Sequence, residues 1–365
     1  MLGLYVHIPF CKTICTYCDF PKIIANDYKK EEYINHLINE LNSYKDQLID
    51  VKTVYIGGGT PNSLPINLLE KLLNALKPYL DNSIENTIEI NSELLTVEQV
   101  QLFSRYNINR ISIGVQTFND RLIKIINRYH DYQTVINSIN LLKKYNINNI
   151  NIDMIYGLPT QTINELEEDV NTLLSLDIKH ISYYSLILEE KTVLEYQINN
   201  NIIEPLEDEI VEEMALLIDN RLNNSRFIQY EISNYSLNNY ESKHNLIYWN
   251  HDEYIGIGAK ACGFYNNKRY QNNFILHKYY EKYIDFEEII NIEEAKKEYM
   301  MLGLRKIKGV NLSEYFLKFN SKIEDDFDLS KLFKLDLIEI IDNHIRIKKD
   351  KILLGNIVFE EFVGW

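Results

Sequence analysis

Cys11, Cys15 and Cys18 stand in one short stretch, spaced Cys-x-x-x-Cys-x-x-Cys. Thiolates are the ligands of iron–sulfur clusters, and four of them saturate a [4Fe–4S] unit. Three on one tight loop leave an iron open to a substrate-like ligand. Zinc is the rival metal, but a structural zinc site takes four ligands, and here three are offered. The run Gly57-Gly58-Gly59-Thr60-Pro61 is a second signal. Glycine lets the backbone approach a ligand closely and present its N–H groups, although three glycines alone make a tight turn equally well.

These residues need a frame. Apolar periodicity predicts strands over 2–8, 53–56, 87–91, 110–115, 149–156 and 180–188, alternating with helices over 31–48, 68–80, 97–106, 134–145 and 163–176. Repeated βα units build a parallel sheet with crossover helices outside it. Six units are too few for a closed eight-fold barrel, so the expected fold is α/β, an open partial (β/α)6 barrel. Ligands gather at the carboxyl ends of such strands. The cysteine loop follows the first strand and the glycine run the second. Glu89 lies late in the third, Gln116 just past the fourth, and Asp153 near the end of the fifth. The barrel is expected to occupy 1–232. A connecting segment follows over 233–290, whose first part, 233–253, is rich in Asn, Tyr and Ser and reads as a long loop. A C-terminal α+β module, winged-helix-like, is expected over 291–365, with a hairpin of strands 337–341 and 345–348 turning at Asp342-Asn343.

Composition narrows the function. The chain has 365 residues, 45% of them apolar and 25% charged, as in an ordinary globular protein. A formal net charge of -15 disfavours nucleic acid, whose phosphates need a basic stripe. No apolar run reaches the roughly 18–20 residues that span a bilayer. The first nine residues read as a strand, with no charged leader. A cytoplasmic protein is expected. Four cysteines, three of them packed together, argue for metal or redox chemistry and not for disulfides.

The stretch from Tyr5 through Cys11 to Tyr17-Cys18-Asp19-Phe20 resembles the radical SAM superfamily, in its coproporphyrinogen-oxidase-like branch. The resemblance implies a [4Fe–4S] cluster on Cys11, Cys15 and Cys18, with S-adenosylmethionine (SAM) chelating the open iron. It places Gly58, Gly59 and Thr60 in the segment that holds the SAM amino group. Glu89, Gln116, Arg128 and Asp153 match the polar residues around SAM, and Tyr5 and Tyr17 are weaker candidates. Carboxylates and amides suit ribose hydroxyls, and Arg suits the SAM carboxylate. Asp153 to Pro159, His180 to Leu186, Tyr230 to Tyr235 and Gly256 to Ala259 extend the resemblance over nearly the whole chain.

The branch divides into decarboxylases of coproporphyrinogen III and HemW haem chaperones. Two features resemble the second. The decarboxylases carry a further cysteine where this chain has Phe20, and a long segment before the cluster motif, which is expected to be missing because Cys11 lies near the start. His244-Asn245-Leu246-Ile247-Tyr248-Trp249 matches the HNxxYW motif of HemW. Imidazole is a standard axial ligand of haem, and Tyr and Trp can cover a flat macrocycle. The resemblance therefore implies haem as cargo on His244, Tyr248 and Trp249, with His251 as a competitor for the ligand role. It also implies a recipient haem protein, an electron donor for the cluster, and membrane association, if any, through the recipient. The alternative is a radical SAM enzyme of porphyrin biosynthesis, of the oxygen-independent coproporphyrinogen oxidase kind. Two positions depart from the pattern: Ser92-Glu93 replaces Pro-Gly, and Cys262 stands where His is common. Cys262 reads as a small buried side chain, since a fourth thiolate would block the iron that SAM needs.

Overall fold

The computed structural model describes residues 1–363. Its centre is a run of six parallel strands, β1 (Leu2–Ile8), β2 (Val51–Gly58), β3 (Glu85–Ile90), β4 (Arg110–Gln116), β5 (Asn149–Tyr156) and β6 (His180–Ser185), hydrogen-bonded in that order. Crossover helices join them: α1 (Asp27–Ser43), α2 (Ile66–Leu80), α3 (Val97–Arg105), α4 (Tyr132–Lys144) and α5 (Ile163–Ser175), with α6 (Asp208–Asn223) after β6. The period-two pattern explains the layering. Leu4, Val6, Ile8, Val54, Ile56, Ile88, Ile111, Ile113, Ile150 and Ile152 are all buried, beneath helix faces such as Leu69, Leu72, Leu73 and Leu76 of α2. The alternate positions carry polar side chains. Glu89, Ser112, Asn151 and His180 stand side by side in register across β3 to β6. One face of the sheet is thus an apolar wall and the other a polar one. Helix starts are written in sequence: Thr96 with Gln99 and Thr162 with Glu165 form reciprocal capping boxes on α3 and α5.

The sheet does not stop at six strands. On the β6 side follow β8 (Asn234–Ser236) and β7 (Ile228–Glu231), both antiparallel to their neighbours. On the β1 side, β9 (Tyr254–Ile257) runs parallel to β1, and β10 (Cys262–Tyr265), β11 (Lys268–Asn272) and β12 (Ile284–Ile289) continue antiparallel. The stretch 233–253, expected to be a loop, instead supplies β8 and a short helix, α7 (Lys243–Trp249). Its polar residues are structural: Ser242 caps α7 by accepting from Asn245 N, and Asn234 and Ser236 are buried in the sheet.

The C-terminal residues form a second core. Met300 of α8 (Ile292–Gly303) packs there with Tyr315, Leu332, Ile345 and Val358. Strand β13 (Val310–Asn311) joins the hairpin of β14 (Ile338–Ile341) and β15 (His344–Ile347) in a three-stranded sheet. Asp342 and Asn343 at the turn both have positive φ, 48° and 63°. Two left-handed central residues are what a two-residue type I′ hairpin requires. Among the described residues, no helix is long and apolar enough to cross a membrane.

Candidate functional site

The cysteine loop leaves the end of β1 and is closed at its base by two backbone bonds, Cys11 N to Ile23 O (3.1 Å) and Ile23 N to Pro9 O (2.6 Å). Its middle is tied to the segment before Arg128. Asn127 Nδ2 donates to Ile14 O (2.8 Å), Thr16 N to Ile126 O (3.2 Å) and Thr16 Oγ1 to Ile125 O (3.1 Å). Cys11, Cys15 and Cys18 are free thiols, each half-exposed. Burial pushes the Cys11 thiol up and Cys18 to about 11. Lys22 works against this from nearby and donates its ammonium to Cys18 O. Cys11 and Cys18 so disposed hold their protons until a metal displaces them. Among the described residues no three His, Cys, Asp or Glu side chains converge as tightly as one ion needs.

The glycine run threads β2 between this loop and Glu89. A Cβ at Gly59 would stand 2.9 Å from Cys11 Sγ, and one at Gly57 2.9 Å from the Glu89 carboxylate. Gly58 has φ +114°, and a Cβ there would strike the His7 ring at 2.5 Å, so only glycine fits. Thr60 Oγ1 reaches Cys11 Sγ at 3.5 Å. Glu89 accepts from Tyr55 OH (2.7 Å) and Gly58 N (2.9 Å), and burial raises its pKa to about 7. Asp153 accepts from Ser112 Oγ (2.7 Å) and Asn151 Nδ2 (2.8 Å). A carboxylate offers about four acceptor positions, so both keep capacity for a ligand.

Gln116 sits at a bulge closing β4, with φ +67°, and its buried Oε1 has no partner among the described residues. Arg128 ties three parts of the site together. Its Nη2 donates to Gly114 O (2.6 Å) and Asn91 Oδ1 (3.0 Å), Nη1 lies 4.0 Å from Cys15 Sγ, and Nε is buried without a partner among the described residues. Tyr5 OH bonds His7 Nδ1 (2.9 Å) beside the same strand ends. Tyr17 instead packs into a small apolar cluster with Leu122, Ile126 and Leu158.

The motif on α7 divides. Tyr248 and Trp249 line a cavity of about 570 Å3. Its other walls are Tyr5 and His7 of β1, Phe20 and Pro21 of the cysteine loop, Tyr254, Cys262 and Phe264 of β9 and β10, and Glu298, Met301 and Leu302 of α8. His244 departs from expectation. It does not line this cavity and is 1% exposed, with both ring nitrogens engaged, Nδ1 to Thr53 Oγ1 (2.7 Å) and Nε2 to Tyr248 OH (2.8 Å). Both ring nitrogens thus have hydrogen-bond partners, and one of them, Tyr248, lines the cavity.

Burial, with Arg110 adding to it, holds the His244 pKa down to about 3. A histidine kept neutral below its ordinary pKa contributes stability above pH 6.5 and loses it as pH falls toward 3. The advantage of the parent over His244→Gln in urea unfolding should therefore shrink by about 2 kcal/mol between pH 7 and 5. A constant difference across that range would refute the buried neutral ring.

Glu85 and Arg110 went unnoticed in the sequence. The Glu85 carboxylate accepts Lys243 N (3.1 Å) and His244 N (3.0 Å), capping α7, and its charge supports the buried Arg110 guanidinium. Glu298, far from the motif in sequence, bonds His251 Nε2 at 3.1 Å. No local pattern signals either pairing, since the partners lie 159 and 47 positions apart.

Six consecutive parallel strands with outer helices, and three thiols on the loop after the first, define a radical SAM protein. The description "Radical SAM superfamily" matches residues 5–173. At the level of fold, the chain superposes on coproporphyrinogen III oxidase (HemN) from Escherichia coli, a radical SAM enzyme, with TM-score 0.86 over 99% of this chain and 89% of that one, at 19% identity. The chain belongs to the HemW family. It is 38% identical to "Heme chaperone HemW" of Lactococcus lactis over 98% of its own length and 96% of that protein. It is 36% identical to the Bacillus subtilis protein of the same name over the full length of both.

Proposed function

We propose that this chain is a haem carrier: it takes haem into the cavity beside the cysteine loop and passes it to a recipient haem protein. The observation that carries the reading is the cavity itself. Its volume lies within the roughly 300–1,000 Å3 of sites that enclose small ligands. Aromatic rings from α7, β9 and β10 face it, and Phe20, 60% exposed, adds an apolar contact from the loop that bears the thiols. Curated relatives of near-equal length bear the name of haem chaperone, which favours a carrier over a porphyrinogen oxidase.

Membership of the radical SAM superfamily implies a [4Fe–4S] cluster and SAM. The residues fit both. Three half-exposed thiols share one pinned loop, a glycine run passes beside Cys11, and Gln116 Oε1 and Arg128 Nε are buried polar atoms without partners among the described residues. Cys11, Cys15 and Cys18 would hold the cluster. Gly58, Gly59, Thr60, Glu89, Gln116, Arg128 and Asp153 would hold SAM, with Tyr5 beside them and Tyr17 packed behind the loop. Together these groups supply one-electron chemistry when bound. The chain orients them by the Arg128 contacts and shields them with the aromatic wall of the cavity. An electron donor for the cluster is part of the same reading, and any contact with a membrane would come through the recipient.

The deciding experiment gives anaerobically reconstituted protein either haem or coproporphyrinogen III with SAM and a reductant. Stoichiometric haem uptake without decarboxylation is the expected result, and decarboxylation with turnover would return the chain to the enzymes. For the SAM site, Asp153→Ala and Gln116→Ala should weaken SAM binding while leaving the cluster absorbance intact. A lost polar partner at a charged ligand costs about 1.5–3 kcal/mol, or roughly tenfold to a hundredfold in affinity. Calorimetry showing parental affinity in both variants would refute the pocket.

A further inference from the structure

Beside the second core lies a groove of about 550 Å3, between two short helices, α9 (Ile323–Asp326) and α10 (Ser330–Lys334), and the β14–β15 hairpin. Its walls are apolar. Ile323, Phe327, Leu329 and Phe333 come from the helical side, and Ile340 and Ile345 face each other in register across the hairpin. Helices and a sheet face normally close on one another to bury such side chains. Here Phe333 stays 42% exposed and Ile340 53%. Large apolar side chains exposed together in a concave site mark a place where another surface sits.

The rim decides which surface. Glu324, Asp325 and Asp328 stand around the groove, and among the described residues no Lys, Arg or His lines it. Lys322 comes within 3.7 Å of Glu324, but the two side chains are 64% and 69% exposed, and so wet a pair holds little. Asp328 Oδ1 accepts Ser330 N (3.0 Å), which leaves its charge whole. Lys331 of α10 is turned to Glu361. The fourth carboxylate, Asp326, is committed: it holds Lys296 Nζ (2.7 Å) and accepts from Tyr315 OH (2.8 Å). Three carboxylates with one weak counter-charge repel nucleic acid and anionic lipid, and attract Lys and Arg. A second copy seated groove to groove would set a like rim against this one.

We infer that this groove seats an amphipathic helix of a partner protein, with its apolar face laid between Phe333 and Ile340 and its Lys or Arg side chains against Glu324, Asp325 and Asp328. An apolar helix face in an apolar groove is a recurring mode of recognition. Ile340 and Ile345 project from the face of the sheet and not from its edge, so the occupant lies across side chains and does not add a strand. The inference goes beyond the carrier reading and does not depend on it. Lys296, which holds Asp326, belongs to α8, and the same helix gives Glu298, Met301 and Leu302 to the wall of the cavity beside the cysteine loop. A docked partner therefore sits one helix away from that cavity.

The test uses the full-length protein and a labelled amphipathic Leu/Lys peptide of about 18 residues, roughly five turns of helix, read by fluorescence anisotropy. Its controls are a peptide of the same pattern with Glu for Lys, and one of the same composition in scrambled order. The Leu/Lys peptide should bind about tenfold or more tightly than either. Ile340→Asp should weaken it by roughly tenfold or more, as loss of a central anchor does. Glu324→Lys with Asp325→Lys should turn the preference toward the Glu peptide. Glu31→Lys with Glu32→Lys, the same charge change at exposed positions of α1 beside the other core, should leave the parental affinity. Absence of peptide binding, equal binding of the Glu peptide, parental affinity in Ile340→Asp, or an equal loss in the α1 variant would overturn the inference. So would self-association of the protein alone, seen in sedimentation and removed by Ile340→Asp, which makes the occupant a second copy. If Ile340→Asp fails to fold, the reversal at Glu324 and Asp325 decides: an unchanged preference overturns the inference.

Discussion

Alanine at Cys11, Cys15 or Cys18 should abolish the broad visible absorbance of the reconstituted protein, whereas Cys262→Ala should keep it, with roughly four irons per chain as a [4Fe–4S] cluster requires. The three thiols share a loop whose base is closed at Cys11 and Ile23 and whose middle is tied to Ile126 and Asn127. No thiol can be replaced by a neighbour moving in, because the backbone that carries them is pinned at both places. Cys262 belongs to β10, where its sulfur is engaged by Gln271. Iron analysis and visible spectra of the four variants suffice. Loss of the cluster in Cys262→Ala with retention in Cys18→Ala would reassign the ligands.

The second large effect concerns stability. Glu85→Ala should cost about 1–3 kcal/mol, because it removes one of the negative charges that act on the buried Arg110 guanidinium, Asp153 being another. It also uncovers the first N–H groups of α7, where loss of a cap costs about 1 kcal/mol more. Glu85→Gln keeps an acceptor for the helix but not the charge, so it should fall between. Urea unfolding of the three proteins at neutral pH gives the order directly. An alanine variant as stable as the parent would show that Arg110 draws its compensation elsewhere.

Much of the frame was legible from apolar spacing. The strand expected over 2–8 is β1, and those expected over 110–115 and 149–156 fall within a residue of β4 and β5. Strands covered on one face by helices carry dense β-branched runs, and such runs stand out in sequence. The turn at Asp342-Asn343 was legible for the same local reason. The stretch 233–253 was not. A seven-residue helix offers fewer than two full turns of periodicity, and its stability comes from Glu85 on a distant strand. The extension β9 to β12 escaped notice because its strands are short and partly polar, and β9 takes its place by pairing with β1. At the site, the types and order of Cys11, Gly58, Glu89, Gln116 and Asp153 were readable. The burial of His244, and the bond between His251 and Glu298, depend on packing between elements that no local pattern encodes.

Strand β1 has β2 on one side and β9 on the other, so its two neighbours come from opposite parts of the chain. During synthesis at roughly 5–20 residues per second, β9 leaves the ribosome about 10–40 s after β2. The cysteine loop needs β1, β2 and the segment around Asn127, all of which emerge well before Tyr254. The nascent chain can thus fold its thiol loop while one edge of β1 stays bare and the cargo cavity lacks three of its walls. An unpaired strand edge recruits other chains. A ribosome stalled between residues 200 and 250 should therefore release a fragment that aggregates through β1, and the cavity can form only once the loop beside it is in place.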